Sequence, residues 1–137
     1  MEMEPVQMRL KAPRERVFAA WTEPDLLVRW WGPEARAEVD LRVGGRYRLS
    51  MRLGWGDLVC VGTYREIVPP ERLVFTFAWE GDPAGEETVV SLFLREVDGG
   101  TELILRHEGF AAPGVAENHR DGWMDCVGRL AALAPAL

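Results

Sequence analysis

The sequence has 137 residues, of which 47% are hydrophobic and 28% are charged, and its formal net charge is −6 at pH 7. A chain of this length can bury a core without a metal or a disulfide, and its acidic balance disfavours nucleic acid, which is bound by clustered basic residues. No apolar run approaches the ~18 residues of a membrane helix, and the first residues lack the pattern of a signal peptide, so we expect a cytoplasmic protein without a membrane partner.

The chain starts with a predicted strand and two predicted short helices. Apolar residues alternate with polar ones over residues 6–11, as in a half-buried strand. Pro13 suits the first turn of a helix, and residues 22–25 have the cap-then-acid spacing that starts a second helix. We predict that this second helix ends near Gly32 and Pro33.

The middle of the sequence predicts a meander of strands. From about Ala35 to Glu108 the apolar residues recur with a period of two, and clusters of Gly, Pro and Asp divide the stretch into short segments. A loop at residues 81–85 is predicted to close one hairpin, and the turn at residues 54–57 is predicted to expose Trp55. Together with the first strand, about seven strands result.

One long amphipathic helix is predicted from about Pro113 to Ala134, because apolar residues recur there at helical spacing. The order of elements is typical of the α+β class, in which a sheet with one apolar face buries it against a helix. The sequence shows no repeat or linker, so residues 1–137 are predicted to form a single domain.

The two histidines of the sequence, His107 and His119, fall on the apolar sides of their predicted elements. They could approach each other beneath the long helix, where such a pair could bind a ligand or move a proton. Burial alone also explains their positions, since buried polar groups are normally hydrogen-bonded within the core. We predict that both are ligand contacts, and we assign no catalytic residue.

The two cysteines, Cys60 and Cys126, lack the close paired spacing of a zinc site or a redox site. They are predicted to be buried free thiols. A metal cluster of both cysteines and both histidines is chemically conceivable, but no spacing supports it. We therefore expect no metal and no cofactor.

Six tryptophans are many for this length, and five of them lie on or next to apolar faces. They could line an aromatic pocket, or they could simply fill a core, because large rings do both. The sequence leaves these two interpretations open. The five are Trp21, Trp30, Trp31, Trp79 and Trp123.

Seven short motifs follow one another along the whole chain. They are P-x-x-x-V-F-x-x-W-T from residue 13, W-W-G-P from residue 30, D-x-R-x-G-G from residue 40, E-I-V-P-P-E-R-L from residue 66, G-T-x-L from residue 100, H-E-G from residue 107 and G-W from residue 122. Together they resemble the bacterial proteins similar to the activator of heat shock protein 90 ATPase. That family is a branch of the START-like superfamily, also called SRPBCC.

The resemblance implies a helix-grip fold. In this fold a bent antiparallel sheet of about seven strands wraps around a long C-terminal helix, with two short helices between the first two strands. The superfamily includes carriers and sensors of lipids, steroids and polyketides, and some of its members are cyclases or other enzymes. Function therefore varies on one scaffold.

The resemblance also implies which residues face a cavity between the sheet and the long helix. Strand parity decides most of them, but from Leu58 to Val68 the parity is ambiguous. Gly62 would permit close backbone approach, which favours Tyr64 inside. The predicted ligand contacts are Trp30, Trp31, Tyr47, Leu49, Met51, Tyr64, Phe75, Phe77, His107, His119 and Trp123.

Three functions fit these observations. The first is a non-catalytic protein that binds a small apolar, aromatic or lipid-like molecule, oriented by His107, His119 and Tyr64. The second is a cyclase-like or hydrolase-like enzyme that uses one histidine as a general acid or base in the same cavity. The third is an interaction module that stimulates a chaperone ATPase. A chaperone partner and a homodimer are left open.

Overall fold

The computed structural model describes residues 1–82 and 86–137. The loop predicted at residues 81–85 therefore lies partly outside the described residues. In chain order the elements are β1 (Val6–Leu10), α1 (Arg14–Thr22), α2 (Pro24–Leu27), β2 (Arg36–Val39), β3 (Arg46–Leu53), β4 (Gly56–Val68), β5 (Arg72–Trp79), β6 (Thr88–Val97), β7 (Gly100–Glu108) and α3 (Pro113–Leu133), followed by a 3-10 turn at Ala134–Ala136.

The strands of the described residues form one seven-stranded antiparallel sheet in the order β1-β7-β6-β5-β4-β3-β2. Each strand from β2 to β7 pairs with its neighbour in sequence, whereas β1 pairs with β7. The helices α1 and α2 thus carry the chain from one edge of the sheet to the other. The predicted α+β helix-grip architecture is confirmed, with a curved sheet and the long helix α3.

The second short helix differs from the prediction. Its regular part ends at Leu27, and turns continue the chain toward Gly32, with the Trp31 amide still donating to the Leu27 carbonyl at 3.0 Å. Thr22 does not cap this helix, because its hydroxyl donates back to the Phe18 carbonyl at 2.9 Å. A hydrogen bond from the Thr22 hydroxyl to its own helix competes with capping of the next helix, and the residue spacing does not show which of the two forms.

Helix α3 presents one apolar stripe to the inside of the fold, as the helical spacing predicts. The indole of Trp123 is at the centre of this stripe and is 4% exposed. No helix of the described residues is long and apolar enough to cross a membrane. The buried residues of α3 are Ala116, Trp123, Cys126, Val127 and Leu130.

The pairing of β4 with β5 is interrupted at Gly62, where side chains replace part of the backbone ladder. The Thr63 amide donates to the Thr76 hydroxyl at 2.8 Å, and the Tyr47 hydroxyl donates to the Thr76 carbonyl at 2.6 Å. A Cβ atom at Gly62 would collide with that carbonyl, so the expected close approach is present. Tyr64 follows on the buried face of β4 and is 4% exposed.

Candidate ligand-binding site

Two spaces lie between α3 and the sheet. One is a small space of about 20 Å³ lined by buried side chains, which we call the void, and the other is a cleft of about 560 Å³. A water molecule needs roughly 10–15 Å³, so the void holds little more than one. The aromatic core is thus nearly filled. The sequence predicts a cavity inside this core, whereas the larger space in the structure lies beside the core.

The void is enclosed by aromatic and aliphatic side chains of every layer of the fold. Tyr47 packs against Tyr64 and Phe75, with ring centroids 5.6 and 5.4 Å apart, on the sheet side. Ring contacts at such distances fill space efficiently, which explains why so little volume remains. The lining residues are Trp21, Leu27, Trp31, Tyr47, Leu49, Tyr64, Leu73, Phe75, Phe77 and Trp123.

The cleft runs between α3 and the strands β3, β4 and β5. Its walls are mostly apolar, and its polar side chains are confined to one flank, on α3. Gly122 lies on this flank and leaves the space beside it open, because a Cβ atom at this position would meet nothing within 4 Å. The lining residues are Trp31, Pro33, Met51, Leu53, Leu58, Phe77, Trp79, Asn118, His119, Gly122, Trp123, Asp125, Cys126 and Arg129.

Three rings line both spaces and separate them: Trp31, Phe77 and Trp123. We call these three rings the aromatic partition. The Trp123 ring lies 5.7 Å from Trp31 and 5.6 Å from Phe77 between centroids. A movement of these side chains would join the void to the cleft.

His107 is fully buried, and both of its ring nitrogens are hydrogen-bonded. The Trp123 indole donates to Nδ1 at 3.0 Å, and because an indole N–H can only donate, the proton of His107 is on Nε2. This Nε2–H donates to the Thr88 hydroxyl at 2.6 Å, which in turn donates to the Phe77 carbonyl at 2.9 Å. Burial, and then the neighbouring His119, lower the pKa of His107 to about 3.

His119 is held in the same manner at the edge of the cleft. The Trp79 indole donates to its Nε2 at 2.8 Å, so Nδ1 carries the proton and donates to the Val115 carbonyl at 2.8 Å. The rings of His119 and His107 lie 5.5 Å apart, which confirms that the two histidines meet beneath the helix. In this arrangement neither ring has a nitrogen left for a ligand or for proton transfer.

Cys60 and Cys126 are buried free thiols, as predicted. Burial raises the pKa of Cys126 to about 11, and burial also raises the pKa of Cys60. Both are therefore neutral thiols at pH 7. The part of the chain that the structure describes contains no group of three or more side chains suited to a metal ion.

Arg129 fixes one wall of the cleft. Its Nε donates to the Trp30 carbonyl at 3.0 Å, and its Nη2 donates to the Trp31 carbonyl at 2.7 Å. The Trp30 indole in turn donates to the Ala20 carbonyl at 2.9 Å. These bonds tie the segment after α2 both to α3 and to α1, so the Trp31 ring is positioned from two sides.

Residues 11–134 match the family described as Activator of Hsp90 ATPase homolog 1-like protein. The chain belongs to this family. No curated protein matches the sequence.

Solved structures of similar proteins agree with this assignment. CV1439 from Chromobacterium violaceum is 30% identical, with 96% of this chain and 95% of that chain covered and a TM-score of 0.83. CalU16 from Micromonospora echinospora is 28% identical, with coverages of 92% and 71% and a TM-score of 0.71. Mll3558 from Rhizobium loti is 24% identical, with both coverages 96% and a TM-score of 0.81, and shows the fold alone.

In this member of the Activator of Hsp90 ATPase homolog 1-like family, the eleven predicted contacts are distributed unequally. Two of them, Trp30 and His107, are buried behind other side chains and line neither space. Met51 and His119 line the cleft only. The other seven line the void: Trp31, Tyr47, Leu49, Tyr64, Phe75, Phe77 and Trp123.

Nine residues of the cleft were not among the predicted contacts, and two patterns could have indicated most of them. Leu53 and Leu58 continue the inward parity of β3 and β4. On α3, residues 118, 122, 125 and 129 form a helical stripe beside the buried one. The nine residues are Pro33, Leu53, Leu58, Trp79, Asn118, Gly122, Asp125, Cys126 and Arg129.

Proposed function

We propose that this protein binds a small, largely apolar molecule in the cleft between α3 and the sheet, without transforming it. The observation that carries the proposal is the cleft itself, which measures about 560 Å³ and has the aromatic partition as its floor. Sites for small molecules typically measure roughly 300–1,000 Å³ and combine apolar walls with a few polar groups.

The distribution of polarity in the cleft supports an apolar ligand. Met51, Leu53 and Leu58 form the strand side, and Asn118 and Asp125 lie on the α3 side. An apolar body would lie against the strands and the rings, since burial of apolar surface is the main source of binding energy there. Any polar substituent on the outer side would reach α3 or solvent.

The histidines support binding more than catalysis. A general acid or base works best with a pKa near the operating pH, whereas the pKa of His107 lies at about 3. His107 accepts from the Trp123 indole through Nδ1, and His119 accepts from the Trp79 indole through Nε2. The remaining ring nitrogens bond the Thr88 hydroxyl and the Val115 carbonyl. We therefore give them the role of positioning the aromatic rings of the site. The family description suggests a chaperone-stimulating role as the alternative.

A substitution that fills the cleft tests the proposal. Gly122→Leu would place a side chain in open space of the cleft, and Gly128→Leu is the matched control on the same helix, where a Cβ also meets nothing within 4 Å but does not line the cleft. Both variants should be at least as stable as the original, because glycine in a helix costs about 1 kcal/mol relative to good helix formers.

Binding of the neutral dye Nile red, followed by its fluorescence, is the measurement. We expect the unchanged protein and Gly128→Leu to bind the dye equally and Gly122→Leu to lose at least tenfold in affinity. Equal binding by all three proteins would contradict the location of the site. Stimulation of the host chaperone's ATPase by the unchanged protein, with no binding of the dye, would instead support the chaperone alternative.

A further inference from the structure

Trp21 on α1 carries a buried hydrogen-bond donor without an acceptor. The side chain is 4% exposed, and its Nε1–H has no partner among the described residues. The indoles of Trp30, Trp79 and Trp123 each donate a hydrogen bond. A buried donor that lacks an acceptor is costly, so a group from outside the chain is the natural acceptor.

Trp21 lines the void together with other side chains that carry polar groups. The hydroxyl of Tyr47 and the indole of Trp123 also belong to the void lining, but both are engaged elsewhere. The hydroxyl of Tyr64 is not among the buried unpaired groups of the described residues, and burial raises the pKa of Tyr64, so it stays neutral. Trp21 is therefore the one lining residue with a buried, unpaired donor, and no cation is among the described residues that line the void.

We propose that the void receives a neutral oxygen acceptor of the ligand, such as a ketone carbonyl, which accepts a hydrogen bond from Trp21. This inference rests on the proposed function. The group must be an acceptor, because an indole N–H can only donate. It must be uncharged, because no cation lines the void and a buried unpaired carboxylate would be too costly.

The dimensions of the two spaces define the rest of the ligand. The void of about 20 Å³ admits one oxygen atom, and the cleft of about 560 Å³ admits the body of the molecule. Since the aromatic partition separates them, the carbonyl passes the partition as its rings move aside. The ligand class is therefore an aromatic or alicyclic ketone whose carbonyl projects from one end.

Two probe molecules of the same shape test this proposal. One is 2-acetylnaphthalene, and the other is 2-isopropenylnaphthalene, in which a CH₂ group replaces the carbonyl oxygen. We expect the original protein to bind the ketone roughly tenfold more tightly, the effect of one neutral hydrogen bond. Trp21→Phe should abolish this preference and retain the hydrocarbon, whereas the exposed Trp55→Phe should preserve it.

The outcomes separate the two proposals. Equal affinity for both probes in the original protein, or a ketone preference that survives Trp21→Phe, overturns the inference while the cleft remains the binding site. If neither probe binds, the inference falls together with the proposed function. If Trp21→Phe does not fold, the indole ¹⁵N–¹H NMR signal of Trp21 in the original protein provides the test. The ketone should move this signal downfield, and the hydrocarbon should not. Equal shifts with both probes overturn the inference.

Discussion

The buried His107 predicts a loss of stability in acid. Its pKa is about 3 in the folded protein, against an ordinary value of 6.5, so between these values the unfolded chain binds the proton more strongly. Stability from this group is therefore complete above pH 6.5 and is lost as the pH falls toward 3. At about 1.4 kcal/mol per pKa unit, lowering the pH from 7 to 5 should cost about 2 kcal/mol.

The assay is urea unfolding at pH 7 and pH 5, with His107→Asn as the reference. In that variant the Asn oxygen can still accept from the Trp123 indole, but no group at this position titrates. Ionisable groups remote from this position contribute alike to both proteins. The difference in the pH dependence of their unfolding free energies therefore isolates His107 together with its coupling to His119. The reasoning is refuted if the two proteins lose the same unfolding free energy between pH 7 and pH 5.

Two further substitutions test the packing behind the cleft, each by chemical denaturation. Trp123→Phe should lower the free energy of unfolding by roughly 1–3 kcal/mol, because it leaves Nδ1 of His107 without its donor inside the core. An unchanged free energy of unfolding would show that the indole hydrogen bond contributes nothing. Gly62→Ala should cost more than about 2 kcal/mol, since its Cβ must displace the Thr76 carbonyl, whereas Gly54→Ala, where a Cβ meets nothing within 4 Å, should be nearly neutral. Similar losses in both glycine variants would contradict the close approach.

Much of the fold could be predicted from periodicity, because the sheet buries one face and α3 buries one stripe. Tyr47 and Leu49 on β3 and Trp123 on α3 follow directly from such spacing, and the structure places all three in the core. The early end of the second helix at Leu27 could not be predicted, since the turns that follow depend on tertiary contacts such as the bond from Arg129 to the Trp30 carbonyl.

The shape of the site was less predictable than the fold. Parity indicates which side chains point inward, but it does not reveal whether their rings leave a space, and here the rings of Tyr47, Tyr64 and Phe75 nearly close it. The pairing of each histidine with an indole joins positions far apart in sequence, such as His119 with Trp79. Contacts of this kind depend on the register of the whole sheet and helix.

A crystal structure of the protein with 2-acetylnaphthalene tests the central claim most directly. The account predicts density for the naphthalene rings in the cleft, between α3 and the strands, against Phe77 and Trp123. Density for the compound on the outer face of the sheet, or an empty cleft at a concentration where binding in solution is saturated, would contradict it.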